Sequence, residues 1–258
     1  AGWGLLTPES PGDWKWGNIY RYIGQCYLFL SQLPNALDVS EVQKREWTAE
    51  ANFLIAYYHF LILEYYGPCP ITDSYIDMDT PNNEYHGRYH FDYVTSWISM
   101  KLDEAAKDLP ASRIGSEWGR ATSTIAKAVK AQLLLLAASP LFNGNSDYIN
   151  VKDNQGRHLF PTQVDNSKWK LAADAALEAI NCAKENGHEK LYTFSLPINS
   201  ISAATRKLLD IGEAVTEKWN EEIIWGSTRN VNGLQTVAMA KHTKGSHYNA
   251  RSVLGPTL

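Results

Sequence analysis

The chain of 258 residues carries 24 Lys and Arg against 28 Asp and Glu, a formal net charge of −4, with 44% apolar residues. That length and apolar content suffice for a packed core in one large domain or two small ones, and the lack of any basic block argues against a phosphate backbone as partner, so no nucleic acid is expected. Nine Trp and fourteen Tyr make rings the compositional signature, while 17 Gly and 11 Pro are too few for a disordered or collagen-like chain.

Ala1 opens directly into GWGLLTPES with neither an initiating Met nor a signal segment, so a processed or truncated start is expected. From Trp14 to Leu33 the positions Ile19, Ile23, Cys26, Leu30 and Leu33 recur at helical spacing, and Pro34-Asn35 supplies the stop. A second helix is predicted from Ser40, with Gln43 three residues on in a capping-box arrangement, through Trp47, Ala51, Leu54, Tyr58, Leu61 and Tyr65 to Gly67-Pro68. The stretch PITDSYI that follows reads as strand-like. A third helix runs from about Tyr89 to Leu109 with Val94, Ile98, Leu102, Ala105 and Leu109 on one face, ended by Pro110.

SEWGRATST is turn chemistry, after which Ile125, Val129, Leu133 and Leu136 mark an Ala- and Leu-rich helix expected to be buried nearly all round, broken at Asn143-Gly144-Asn145. Ser167 is read as the cap of another helix, with Trp169, Ala173, Ala176, Ile180 and Ala183 facing inwards before Asn186-Gly187. A weaker helical pattern covers Ala203 to about Trp219, and the β-branched and aromatic EEIIWGSTR reads as a strand. Beyond Asn230 the chain turns loop-like. The longest apolar run, after Lys130, falls well short of the ~20 residues that span a bilayer. Cys26, Cys69 and Cys182 lack CxxC spacing and read as buried small apolar residues, with neither a disulfide framework nor a zinc site.

Four pieces occur in order: REWTAEANFLIAYYHFLILEYYGPCPI from Arg45 to Ile71, LDEAAKDLP from Leu102, WGRAT from Trp118, and KAQLLLLAASPLFNG from Lys130. Together they closely resemble the SusD/RagB family, outer-membrane lipoproteins that capture glycans or other nutrients for a TonB-dependent barrel. The spacing from Trp16 to Leu33 and EEIIW from Glu221 to Trp225 look like neighbouring segments of that family, so the resemblance runs from about Trp14 to about Trp225. Tyr27 and Ile55 depart from its usual residues without breaking the helical pattern. The family's lipid-carrying Cys and its long C-terminal portion are absent, so an internal or shortened piece is expected.

The resemblance implies a mainly all-α fold of TPR-like helical hairpins with irregular loops and a few short strands. Small residues opposite bulky ones favour such close helix pairs, although no fixed 34-residue period is visible. A single domain over residues 1–258 is expected, incomplete at both ends, with a TPR-like core at about 14–187 and a loop- and strand-containing part at about 188–258. The implied partners are a TonB-dependent SusC-like barrel and an oligosaccharide or other nutrient. The implied location is the cell-surface face of the outer membrane, held by a lipid anchor outside this chain.

Sugar rings present apolar C–H faces that an exposed indole covers with little loss of entropy, while carboxylates and amides bond the hydroxyls. Asp13, Trp14, Lys15, Trp16 and Asn18 combine these groups in one stretch and are the candidate ligand-binding residues. By period Trp16 falls with the core positions and Trp14 lies off that face; the family's aromatic patch near the first TPR helix adds weight to Trp14. Trp118 is assigned to packing, with Arg120 bonding carbonyls or a carboxylate across the hairpin. Tyr57, Tyr58, Tyr65 and Tyr66 read as an aromatic core with wet hydroxyl edges.

No pair of acids is singled out as a glycosidase pair, and GxSxG, a phosphate loop and HExxH are absent. His86 and His90 lack a third ligand and read as a solvated loop. NGNSDY places oxygens as a calcium loop does but lacks the downstream Glu, and reads as a loop. No catalytic residue, cofactor or metal is expected. The leading expectation is non-catalytic nutrient binding; the alternatives are a TPR-type adaptor that binds only protein and, behind it, an all-α glycosidase.

Overall fold

The computed structural model describes residues 15–77, 79–81, 86–188, 190–195, 201–217 and 219–228. Residues 18–226 form one compact unit. Among the described residues there are six α-helices: α1 (Lys15–Gln32), α2 (Glu41–Tyr66), α3 (Phe91–Asp108), α4 (Ser123–Ala138), α5 (Ser167–Glu185) and α6 (Ala203–Thr216). The fold is thus mainly helical, and none of these helices is long and apolar enough to cross a membrane.

Capping sets most of the boundaries. Ser40 accepts from the Gln43 amide while the Gln43 side chain accepts from the Ser40 amide, which satisfies two orphan donors at the start of α2. His90, Thr122 and Ser202 cap α3, α4 and α6 by accepting from Asp92, Ile125 and Thr205 amides. Gly67 ends α2 at φ +68°, where a Cβ would meet the Phe160 ring at 3.2 Å. At α5 the cap differs from expectation: Ser167 is the first helical residue, and its amide and hydroxyl both donate to the carboxylate of Asp165.

Helices α2, α3, α4 and α5 pack successively, each against the next, with α4–α5 the most extensive pairing. The predicted face of α3 is buried throughout, with Val94, Ile98, Leu102, Ala105 and Leu109 all inside. The face of α5 is rotated from its expected position. Its buried residues are Ala172, Ala175, Ala179, Cys182 and Ala183, whereas Trp169 and Ile180 are 45% and 50% exposed. A seam of small side chains lets α5 approach α4 closely, and the bulky residues are displaced outwards. Helix α4 likewise leaves Leu135 on the surface and is not buried all round.

In α2 the buried side is formed by Ala49, Phe53, Ala56, Phe60 and Leu63 with Ile55, His59 and Ile62; of the expected face Ala51 is buried, Trp47, Leu54, Tyr58 and Leu61 are half-buried, and Tyr65 is exposed. Rings of α1 reach this half-buried side, with Tyr22 and Tyr58 centroids 5.6 Å apart. The hydroxyls of Tyr20 and Tyr27 donate to the carbonyls of Pro70 and Thr72, tying α1 to the segment after α2. Buried His59 joins the same segment: its Nδ1–H donates to the Ile55 carbonyl at 2.8 Å, and its Nε2 accepts from the Thr72 amide at 3.1 Å.

These bonds explain why PITDSYI forms no strand. The Pro70 and Thr72 carbonyls and the Thr72 amide pair with side chains of α1 and α2 in place of a ladder partner. Nor does EEIIW form one: Asn220 accepts from the amides of Glu222 and Ile223, through side chain and carbonyl respectively, and so closes a turn there. The described residues carry one isolated bridge, Lys152 with His158. NGNSDY is a clasp. Buried Asn143 donates to the Asp165 carbonyl and accepts from the Asp165 amide, each at 2.9 Å. Asn145 bonds the Leu141 carbonyl and the Asp147 amide. Cys69 and Cys182 are buried and Cys26 is half-buried, all three as free thiols.

Candidate functional site

A cleft of about 480 Å³ opens where three separate stretches meet: the segment between α3 and α4, the turn after α5 with residues 192–195, and the segment after α6. Three tryptophans line it. Trp118 follows the single helical turn Gly115–Glu117, and Gly119 reverses the chain at φ +86°. Its indole meets Trp219 edge-on at 4.5 Å between centroids. Among the described residues Trp219 is the one non-glycine at positive φ, +60°, a left-handed conformation that a bulky side chain adopts only under constraint. Gly226 gives it room, because a Cβ there would stand 3.1 Å from the Trp219 ring.

Trp225 secures the third side. Its Nε1–H donates to the Gly119 carbonyl at 2.9 Å, and its ring packs edge-on against Tyr57 and Phe53 of α2, at 4.9 and 5.5 Å. Tyr57 is therefore half-buried against an indole, in keeping with its reading as aromatic core.

Beneath Trp118 lies an ion cluster that fixes its loop to α2. Arg120 donates through Nε and Nη2 to Glu50, the shortest contact 2.6 Å, and through Nη1 to Glu117 at 2.5 Å. The Glu50 bond, before all else, raises the Arg120 pKa further above its ordinary value. Arg113, whose side chain is only 5% exposed, reaches Glu46 at 2.5 Å and Glu117 at 3.2 Å, and its Nε–H donates to the Ala121 carbonyl. Its Nη2 has no hydrogen-bond partner among the described residues but stands 3.6 Å from Glu50. The expected bonding of Arg120 to a carboxylate across the hairpin is thus present and extended to a two-arginine, three-glutamate network.

The opposite wall is polar. The Tyr192 amide donates to Glu222 at 2.7 Å, and its hydroxyl bonds the Glu217 carboxylate, which, with burial, pushes the phenol up to about 12. His188 Nδ1–H donates to the Glu221 carbonyl at 2.7 Å, and Asn220 donates to the Ala214 and Glu217 carbonyls. Half-exposed indoles beside carboxylates, amides and a hydroxyl suit a ligand with apolar faces and many hydroxyls. Among the described residues no group of three or more His, Cys, Asp or Glu is placed to hold a metal ion.

Of the residues singled out from sequence, Lys15, Trp16 and Asn18 lie on the first turn of α1, with Lys15 exposed and the other two half-buried; Asp13 and Trp14 lie outside the described residues. Trp118 does pack, but it also lines the cleft. Sequence reasoning did not single out Trp219, Trp225, Tyr192 or His188. The available signal was two tryptophans six apart in WNEEIIWG, the second followed by glycine, in a stretch read as helix end and strand.

A SusD-like family model, described as starch-binding and associating with the outer membrane, matches residues 9–135. The solved structure of BT4246 is 46% identical with a TM-score of 0.75, covering 84% of this chain and 41% of its own; its selenomethionine form gives 44% and 0.72 over 84% and 40%. A SusD-like protein (BF3747) from Bacteroides fragilis NCTC 9343 is 28% identical over 48% of this chain and 23% of its own, with a TM-score of 0.44. The chain therefore spans about two fifths of the length of BT4246. No curated protein matches it.

Proposed function

The chain belongs to the SusD/RagB family, and from that premise we propose that it binds carbohydrate without cleaving it, at the cleft walled by Trp118, Trp219 and Trp225. The observation that carries this reading is the pairing of two half-exposed indoles, one held in a strained backbone conformation, with hydroxyl-bonding groups across about 480 Å³. Strain at a ring facing a cleft is expected where presentation of that ring is the purpose. Mechanistically, the indoles cover the C–H faces of one or two sugar rings, and the polar wall orients the hydroxyls.

The proposal extends to delivery of the glycan to a TonB-dependent SusC-like barrel at the cell-surface face of the outer membrane, with a lipid anchor outside this chain. It treats residues 1–258 as one SusD-like helical domain with its core at about 14–187. Asp13, Trp14, Lys15, Trp16 and Asn18 remain candidate ligand-binding residues in their own right.

Affinity electrophoresis in gels containing a panel of polysaccharides tests the reading. At least one polysaccharide should retard the wild type, Trp219→Ala should abolish the retardation, and Trp14→Ala should reduce it. No reducing sugar should be released. Retardation by none would favour a TPR-type adaptor that binds only protein, and sugar release would favour a glycosidase.

A further inference from the structure

Resting on that reading, we infer that the cleft is selective for uncharged glycans and rejects uronates and sulfated sugars. Recognition of an anionic sugar needs a guanidinium or ammonium free to form a forked bond with it. The two arginines of this cleft are already committed to the protein's own carboxylates. Arg120 directs Nε and Nη2 to Glu50 and Nη1 to Glu117, and Arg113 is almost wholly enclosed between Glu46, Glu50 and Glu117. Three carboxylates thus surround two guanidiniums.

The remaining charge on the described walls has the same sign. Glu217 and Glu221 line the cleft as well, and no Lys or Arg among the described residues pairs with either, so with both arginines neutralised by Glu46, Glu50 and Glu117 the uncompensated charge facing a ligand is negative. The Tyr192 phenol is pushed up first by its hydrogen bond to Glu217 and then by burial, with the charges of Glu217, Glu213 and Glu221 adding to the same direction. An incoming carboxylate or sulfate would meet repulsion in a partly desolvated cleft with no cation released to meet it. A neutral pyranose would meet indole faces and acceptors for its hydroxyl protons.

A matched pair of ligands separates this selectivity from binding as such. A neutral polysaccharide that retards the protein is oxidised at C6 to the uronate, and part of that product is methyl-esterified to remove the charge while keeping the oxidised carbon. Oxidation should weaken binding about tenfold or more, as like charges a few ångströms apart in a partly shielded site predict, and esterification should restore most of it. The penalty should shrink in high salt and in Glu221→Gln, which leaves the arginine cluster and the tryptophans in place. Binding of the uronate as tight as, or tighter than, the neutral polymer would overturn the inference while leaving carbohydrate binding intact. A penalty that esterification leaves unchanged would also overturn it, because loss of the C6 hydroxyl would then be the cause. Retardation by no neutral polymer would remove both readings.

Discussion

His59 shows how a single buried group ties sequence to stability. It has no exposed surface, its Nδ1–H is fixed on the Ile55 carbonyl, and its Nε2 is the acceptor for the Thr72 amide. The edge of Trp97 closes over it at 4.8 Å. Burial lowers its pKa from 6.5 to about 4, against small opposing effects of the Ile55 bond and Asp73. The folded protein therefore keeps this ring neutral in a range where the unfolded chain protonates it. The contribution is fully present above about pH 6.5 and is lost as pH falls towards 4, reaching roughly 3 kcal/mol. Urea denaturation of wild type and His59→Gln at several pH values isolates the effect, since the other titrating groups are common to both. The variant should be less stable at pH 7 but lose less on acidification between pH 6.5 and 4; parallel slopes would refute the assignment. Periodicity could locate His59 on α2 but not its burial, because the amide it receives comes from a segment read as a strand.

At the level of the helix, chain order and boundaries were legible and facing directions were only partly so. Ser40 and Gln43 announced the start of α2 because a capping box is a local bond pattern. The face of α3 was readable because its apolar residues form one stripe with no competitor. Helix α5 has two candidate stripes, one bulky through Trp169 and Ile180, one of Ala and Cys, and the partner helix decides between them. Close packing against α4 selects the small stripe, a choice that resides in no single helix. Opposite effects follow from neighbouring residues. Ala179→Leu should destabilise by roughly 1–3 kcal/mol, because extra methylenes must enter a closed seam, whereas Ile180→Ala, at a half-exposed position, should cost less than about 1 kcal/mol. Urea midpoints at constant slope measure both, and a larger loss at Ile180 would restore the bulky stripe as the buried one.

At the scale of the whole fold, the cleft was illegible for a physical reason. Its tryptophans belong to segments about a hundred residues apart, joined by the Trp225 bond to the Gly119 carbonyl, and no local pattern encodes such a meeting. The same distance makes the ion cluster a coupling between scaffold and site. Glu46 and Glu50 lie on α2, while Arg113, Glu117 and Arg120 lie on the loop that presents Trp118, so the loop's position depends on charges held by a helix nearly seventy residues earlier in the chain. Removing Arg113 would leave three carboxylates sharing one guanidinium, and an uncompensated charge in a mostly buried site costs roughly 3 kcal/mol or more. Arg113→Met should therefore lower stability by about that amount and also weaken polysaccharide retardation, through displacement of Trp118. Adding Glu46→Gln should recover part of both losses, because it returns the cluster to its original net charge without restoring the bond. Ala179→Leu supplies the contrast: it destabilises the α4–α5 seam without touching the loop, so under conditions where it remains folded its retardation should match the wild type. If Arg113→Met lost stability alone and kept full retardation, the cluster would serve the fold without positioning the indole, and the link drawn between α2 and the cleft would fail.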